Sequence, residues 1–372
     1  MRRIKDFLIV SALLAGLCAC SGPAKPKPAE LQPVASLLGV KKAWTFNVGE
    51  VAYPLEVKVV ASDLYLASSA GVVSKLNADT GAIRWSVELG SRIAAGVGAD
   101  GDKAAVVTTS GELVTLLNGK KLWQQKLGAV AITPPLVAGG RVFVITPDRT
   151  ISAFDSDTGK RLWQQQRGAD TLVLDRAGVL LPVGDTLVAG IGGRLVGLNP
   201  LNGAQRWDIP IALSRGTNEV ERLVDVVAGV TRAGSEVCAR AYLNAVACVN
   251  LAKGQVNWTK PANGFTGLSG DDRLLFGAES DGRLIAWRRI DGERAWQSDA
   301  LKWRDLGSPV VLGESLVVSD GSGLLHLLST ADGSSLGRLS LDGSPLSASP
   351  VLAGKTLVAV TQKGGVYAFR PE

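Results

Sequence analysis

The chain has 372 residues, 46% hydrophobic and 20% charged, with 44 glycines, which excludes a disordered protein and is ample for a large core. The formal charge of +6 is scattered rather than gathered into a stripe with interleaved aromatics, which argues against nucleic acid as a partner. Part of it sits in the first six residues, where Arg2, Arg3 and Lys5 oppose only Asp6, so the remaining surface is mildly basic.

The chain opens on "MRRIKDF", a positive leader, and "LIVSALLAGL", an apolar run too short to span a bilayer. "LCAC" follows, ending at Cys20, and then Ser21. A leucine three positions before a cysteine, with a small residue immediately before it, resembles the bacterial lipoprotein signal. That resemblance implies a signal peptide over residues 1–19 and lipidation, palmitate included, at Cys20. Serine rather than aspartate at position 21 implies the outer membrane. Plain secretion with cleavage nearby is the alternative. Two or three acyl chains would hold stably, since each buried CH₂ contributes about 0.8 kcal/mol. Residues 20–38, with "SGPAKPKPAELQP", then read as an extended proline-rich tether of roughly 3 Å per residue. The body of the protein is expected in the periplasm.

From residue 39 a single unit recurs. A glycine, three residues and a tryptophan appear in "DTGAIRW", "LNGKKLW", "DTGKRLW", "LNGAQRW", "AKGQVNW" and "IDGERAW", ending at Trp85, Trp123, Trp163, Trp207, Trp258 and Trp296. Trp44 begins the series, and Gly337 stands at an eighth equivalent place. The mean spacing of about 42 residues is that of a four-stranded propeller blade. Before each turn runs an alternating segment such as "GVVSKLN", "TISAFDS" or "GRLIAWR", which reads as a strand entering a hairpin.

A twisted four-stranded sheet cannot cover both its faces alone, whereas radial stacking covers each sheet with its neighbours. A flat indole suits the widening outer gap between two sheets. Full burial of a tryptophan removes ~150–250 Å² from water, on the order of 4 kcal/mol as an upper estimate. The last repeat stops at "GGVYAFRPE" without an outer strand, and "KKAWTFNVG" is an outer strand without inner ones. One completes the other. The expectation is an all-β, eight-bladed β-propeller of four-stranded antiparallel blades over residues 39–372, closed by pairing the N-terminal strand with the last blade.

Two stretches exceed what the frame needs. From Trp163 to the next strand opener at Gly193, and from Trp207 to that at Asn244, the intervals are 30 and 37 residues against 24–27 elsewhere. They contain "GADTLVLDRAG" (168–178) and "ALSRGTNEVERLVDVVAG" (212–229), which both leave an outer strand and so emerge side by side on one face. Tolerated insertion is the bland explanation; adjacency and mixed apolar and charged content favour a binding surface. Cys238 and Cys248 flank Leu243 symmetrically, so a hairpin centred there sets them opposite each other. A disulfide is expected in an oxidising compartment, with two buried thiols the alternative.

No catalytic constellation is present. H-E-x-x-H, C-x-x-C, P-loop and G-x-S-x-G patterns are lacking, and the single histidine, His326 on a strand, reads as a packed structural residue. Acids beside glycine in "SDGSG" are better explained as turns than as a calcium site.

The unit G-x-[VL]-x-A-[LF]-[DN]-x-x-x-G-x-x-x-W resembles the repeat of quinoprotein-like propellers. Among these are the PQQ-dependent dehydrogenases and the BamB-like outer-membrane assembly lipoproteins. Size, leader, closure and blade count are similar to the second. The first would need adjacent cysteines, which the chain lacks. The resemblance implies a non-catalytic, monomeric scaffold subunit without cofactor or metal, which binds a POTRA domain of BamA beside the other BAM subunits and helps unfolded outer-membrane proteins. A periplasmic PQQ-type oxidoreductase is the alternative, and a lipoprotein binding a ligand in the propeller funnel a third. By motif, Leu172 and Leu174 match two leucines of one docking loop, with Asp175 where an arginine is expected and Arg176 one step later. Arg222, Leu223 and Asp225 match the other loop, with Val227 replacing its second acid.

Overall fold

The computed structural model describes residues 26–34, 39–53, 56–167, 173–213 and 224–371. Within these the chain forms eight four-stranded antiparallel sheets and no helix, the expected propeller. Blades 1 to 7 occupy residues 58–88, 93–126, 136–166, 180–210, 226–261, 269–298 and 310–340, each running from innermost to outermost strand in chain order. Blade 8 has three strands from 351–371, and Val40–Asn47 supplies the fourth by pairing along Gly365–Pro371.

The burial pattern follows from this stacking. Third strands such as Val72–Asn77 and Glu112–Leu117 are buried on both faces through their middles, because a neighbouring sheet covers each side. Outer strands such as Ile83–Glu88 alternate between exposed and half-buried. In every blade the pairing of third and outer strand slips at one residue just before the tryptophan position, from Lys42/Trp44 in blade 8 to Leu327/Leu328 in blade 7. Such a bulge bends the strand and re-aims the next side chain.

Six of the seven indoles are thereby turned onto the following blade, whereas the ring of Trp207 lies against Gly197 of its own blade. Trp44 lies over Gly81, Trp85 over Gly119, Trp123 over Gly159, Trp163 over Gly203, Trp258 over Gly292 and Trp296 over Gly333, where a Cβ would stand only 2.4–2.9 Å from the ring. These glycines also have positive φ, so two demands fall on one residue. The indole Nε1 of Trp44, Trp123, Trp163, Trp258 and Trp296 donates to the carbonyl of Ala78, Ser156, Pro200, Arg289 and Thr330 at 2.7–3.0 Å. Only Trp258 is buried outright; the other six of the series are half-buried, so each contributes less than the full-burial figure.

The eighth seam shows what the tryptophan requires. Blade 8 has no turn between third and outer strand, because its outer strand comes from the other end of the chain. An indole at position 337 would have no glycine turn to lie on, and Gly337 stands there. Leu336, Leu339, Leu341, Leu352 and Phe369 fill this seam instead.

Candidate partner-docking face

Loops that join an outer strand to the next blade lie on the same face as the turns between second and third strands. Direct contacts show this, with Val226 N–H donating to Gly192 O at 3.0 Å and Tyr242 N–H to Asp225 O at 2.9 Å. The two long loops are joined at their exits. Gly178 bridges Val227 in antiparallel fashion, and Gly178 N–H also reaches Thr133 Oγ1 of the preceding loop at 2.9 Å.

Leu174, Arg176 and Asp225 come together here, all lining one cavity of about 70 Å³. Leu174 N–H donates to Asp225 Oδ2 at 3.2 Å, so the end of one loop holds the other. Leu174 is half-buried and Arg176 exposed. Leu172, Arg222 and Leu223 lie outside the described residues, as does Cys20. Val227, which replaces an expected acid, is 4% exposed and paired with Arg240, so it is a core position and the apolar residue fits it.

Two residues of this face escaped the sequence reading. Arg149, in the turn "TPDRT" of blade 3, is 7% exposed with φ of 60°, and its Nη2 stands 3.6 Å from Asp225 Oδ1. Its carbonyl accepts from Arg167 N–H at 3.1 Å, at the start of the first long loop. One buried arginine thus ties the root of the first loop to the end of the second. Phe265, in the next loop round the ring, lies under the guanidinium of Arg176, 5.0 Å from ring centre to Cζ. That places a cation over an aromatic face at the rim of the cavity. Both residues sit in loops of ordinary length, where no excess marks them.

Other candidate groups are structural. Cys238 and Cys248 are direct partners across the hairpin Glu236–Ala241 and Ala245–Asn250, fully buried and joined as a disulfide with Cα atoms 4.0 Å apart. Glu236 lies beside them, but Arg289 donates to its Oε1 at 3.1 Å and faces Cys238 Sγ at 3.3 Å, which makes the cluster unsuited to a cation. His326 Nε2 meets Asp320 Oδ2 at 3.1 Å, both buried. Asp320 Oδ1 takes the Ser322 and Leu324 N–H groups, so "SDGSG" is a turn. Near the axis, Glu56 and Lys58 open on a cavity of about 160 Å³ walled by Pro134, Pro135 and Ala228. That is well below the ~300–1,000 Å³ of ordinary cofactor sites and offers one ammonium, a poor match to a multiply charged quinone.

The sequence family described as outer membrane protein assembly factor BamB matches residues 69–298. Outer membrane protein assembly factor BamB of Burkholderia pseudomallei (strain K96243) is 36% identical over 365 residues, covering 97% of this chain and 96% of that one. The Bordetella pertussis protein of the same name is 31% identical with 97% and 96% covered. The crystal structure of BamB from Moraxella catarrhalis superposes with a TM-score of 0.81 at 25% identity, covering 89% of this chain and 99% of that one. Quinohemoprotein alcohol dehydrogenase from Comamonas testosteroni shares the fold, with a TM-score of 0.69 at 14% identity over 92% of this chain and 78% of that one.

Fold and repeat together define a closed eight-bladed propeller of the quinoprotein-like type. Within that class the chain belongs to the family of outer membrane protein assembly factor BamB.

Proposed function

We propose that this chain is a non-catalytic scaffold subunit of the outer-membrane β-barrel assembly complex. It is held at the periplasmic face of the outer membrane through Cys20, docks on a POTRA domain of BamA, and assists the folding of outer-membrane β-barrel proteins. The observation that carries the docking site is the convergence of Leu174, Arg176 and Asp225 from two separate loops around one cavity. In this reading Leu172, Leu174 and Leu223 are apolar anchors, and Arg176, Arg222 and Asp225 set orientation by charge. The name of the family, which is one of assembly and not of chemistry, supports the non-catalytic reading.

The test is capture of BamA by the wild type, by Leu174→Asp, and by Leu174→Asp with Asp225→Arg. A central anchor residue is worth roughly 2 kcal/mol or more, about 30-fold in affinity, so both variants should lose most of the recovered BamA, and Leu174→Asp should do so while keeping the wild-type melting transition. Undiminished recovery by the double variant would overturn the assignment of this face.

A further inference from the structure

Part of the segment that reads as a free tether is built into the wall of the disc. Ala29 N–H donates to Lys302 O at 2.9 Å, and Arg304 Nη1 donates to Ala29 O at 3.0 Å. Leu31 packs against the apolar cluster of blades 6 and 7 that holds Leu301, Leu306 and Trp296. Arg338 Nη2 reaches Gln32 O at 3.4 Å.

The receiving loop, 299–309, has its own supports. Arg304 Nε donates to the buried Asp320 carboxylate at 2.8 Å, Trp303 N–H to Asp281 O at 2.8 Å, and Gly321 N–H to Arg304 O at 2.8 Å. A charge-assisted bond to a buried carboxylate fixes the guanidinium that grips the strap. This loop joins an outer strand to the next inner strand, so it lies on the face that carries the two long loops.

We propose that the strap over residues 29–32 sets how the disc hangs from the membrane, with the docking face turned towards the bilayer at the rim of blades 6 and 7. The inference rests on the lipid anchor at Cys20. Ala29 is nine positions along from that cysteine, a reach of about 30 Å when fully extended. A tether free up to the first strand would reach roughly twice as far and let either face approach the lipid. Pinned at Ala29, the chain departs from one face only. The opposite face lies farther by at least the height of the strands, about 20 Å for six residues.

The experiment uses the full lipidated chain in phospholipid vesicles carrying an acceptor dye, with a donor at Leu213→Cys on the docking face or Ile290→Cys on the opposite one. Both positions are well exposed, at 63% and 85%. Energy transfer is expected to be clearly higher from Leu213→Cys than from Ile290→Cys. Ala29→Pro with Leu31→Asp, both outside the blades, should abolish that difference while the melting transition of the propeller persists. Equal transfer from the two sites in protein that floats with the vesicles would overturn the orientation and leave the anchor standing. A difference that survives in the strap variant would overturn the role of the strap. Failure of the protein to float would overturn the anchor itself and the orientation with it.

Discussion

Trp85 and Trp123 occupy equivalent places in neighbouring blades but spend their indole N–H groups differently. Trp123 donates to Ser156 O at 3.0 Å, a carbonyl three residues before the glycine it covers. Trp85 covers Gly119, yet its Nε1 is buried without a partner. The cause is turn length. Asn118 and Gly119, at φ of 50° and 75°, close a two-residue hairpin between Glu112–Leu117 and Lys120–Lys126, whereas Thr150–Asp155 and Arg161–Gln166 are joined by five residues. The shorter turn has no carbonyl at the needed place. Tryptophan to phenylalanine should therefore cost about 1 kcal/mol more at position 123 than at position 85, beyond the shared loss of packing. Paired urea unfolding curves read this directly, and equal costs would count against the hydrogen bond as a contributor.

At the scale of elements, the alternation before each glycine and the glycine–tryptophan spacing marked the hairpin of third and outer strands in blades 1 to 6. The bulge ahead of each tryptophan was not legible, because an extra residue in one strand leaves the spacing from glycine to tryptophan unchanged and shows only against the partner strand. The turn 319–324 of blade 7 was legible as a turn, but its second duty was not. Burial alone would push the Asp320 carboxyl up; hydrogen bonds from His326, Ser322, Leu324 N–H and Arg304 outweigh it and hold the group well below the usual carboxylate range. A carboxylate held low in the folded state stabilises the fold above the ordinary carboxylate pKa, and that contribution fades as pH falls towards the lowered value. Asp320→Asn should thus cost about 2–4 kcal/mol at neutral pH, because it strips the buried partner of Arg304. The gap from wild type should narrow below about pH 4. Unfolding free energies measured from pH 7 to pH 2 on both proteins check the sign; a gap that widens with acid would contradict it.

For the whole molecule, ring closure and blade number were readable because one end of the chain lacks what the other supplies. The strand Val40–Asn47 completes the sheet that ends at Pro371, and the missing turn in that blade accounts for Gly337 in place of an eighth tryptophan. The cavity on which the proposed docking face centres was readable in part. Excess length singled out both long loops, and the expected contact residues that lie among the described ones, Leu174, Arg176 and Asp225, meet at one cavity. Arg149 and Phe265 could not be found that way, since both join the face from turns of normal length, and only the ring brings blade 3 and the loop between blades 5 and 6 to the same rim. The docked strap was hidden for a related reason. Proline-rich composition describes how a chain behaves alone, and the partners of Ala29 and Leu31 come from residues some 270 positions away.

The most direct test of the account places a photo-crosslinking amino acid at Leu174 or at Ile290 in the full-length protein within intact cells. Blades and closure are the same for both sites, and only the face differs. The account predicts a BamA adduct from position 174 and none from position 290; an adduct from position 290 with none from position 174 would contradict it.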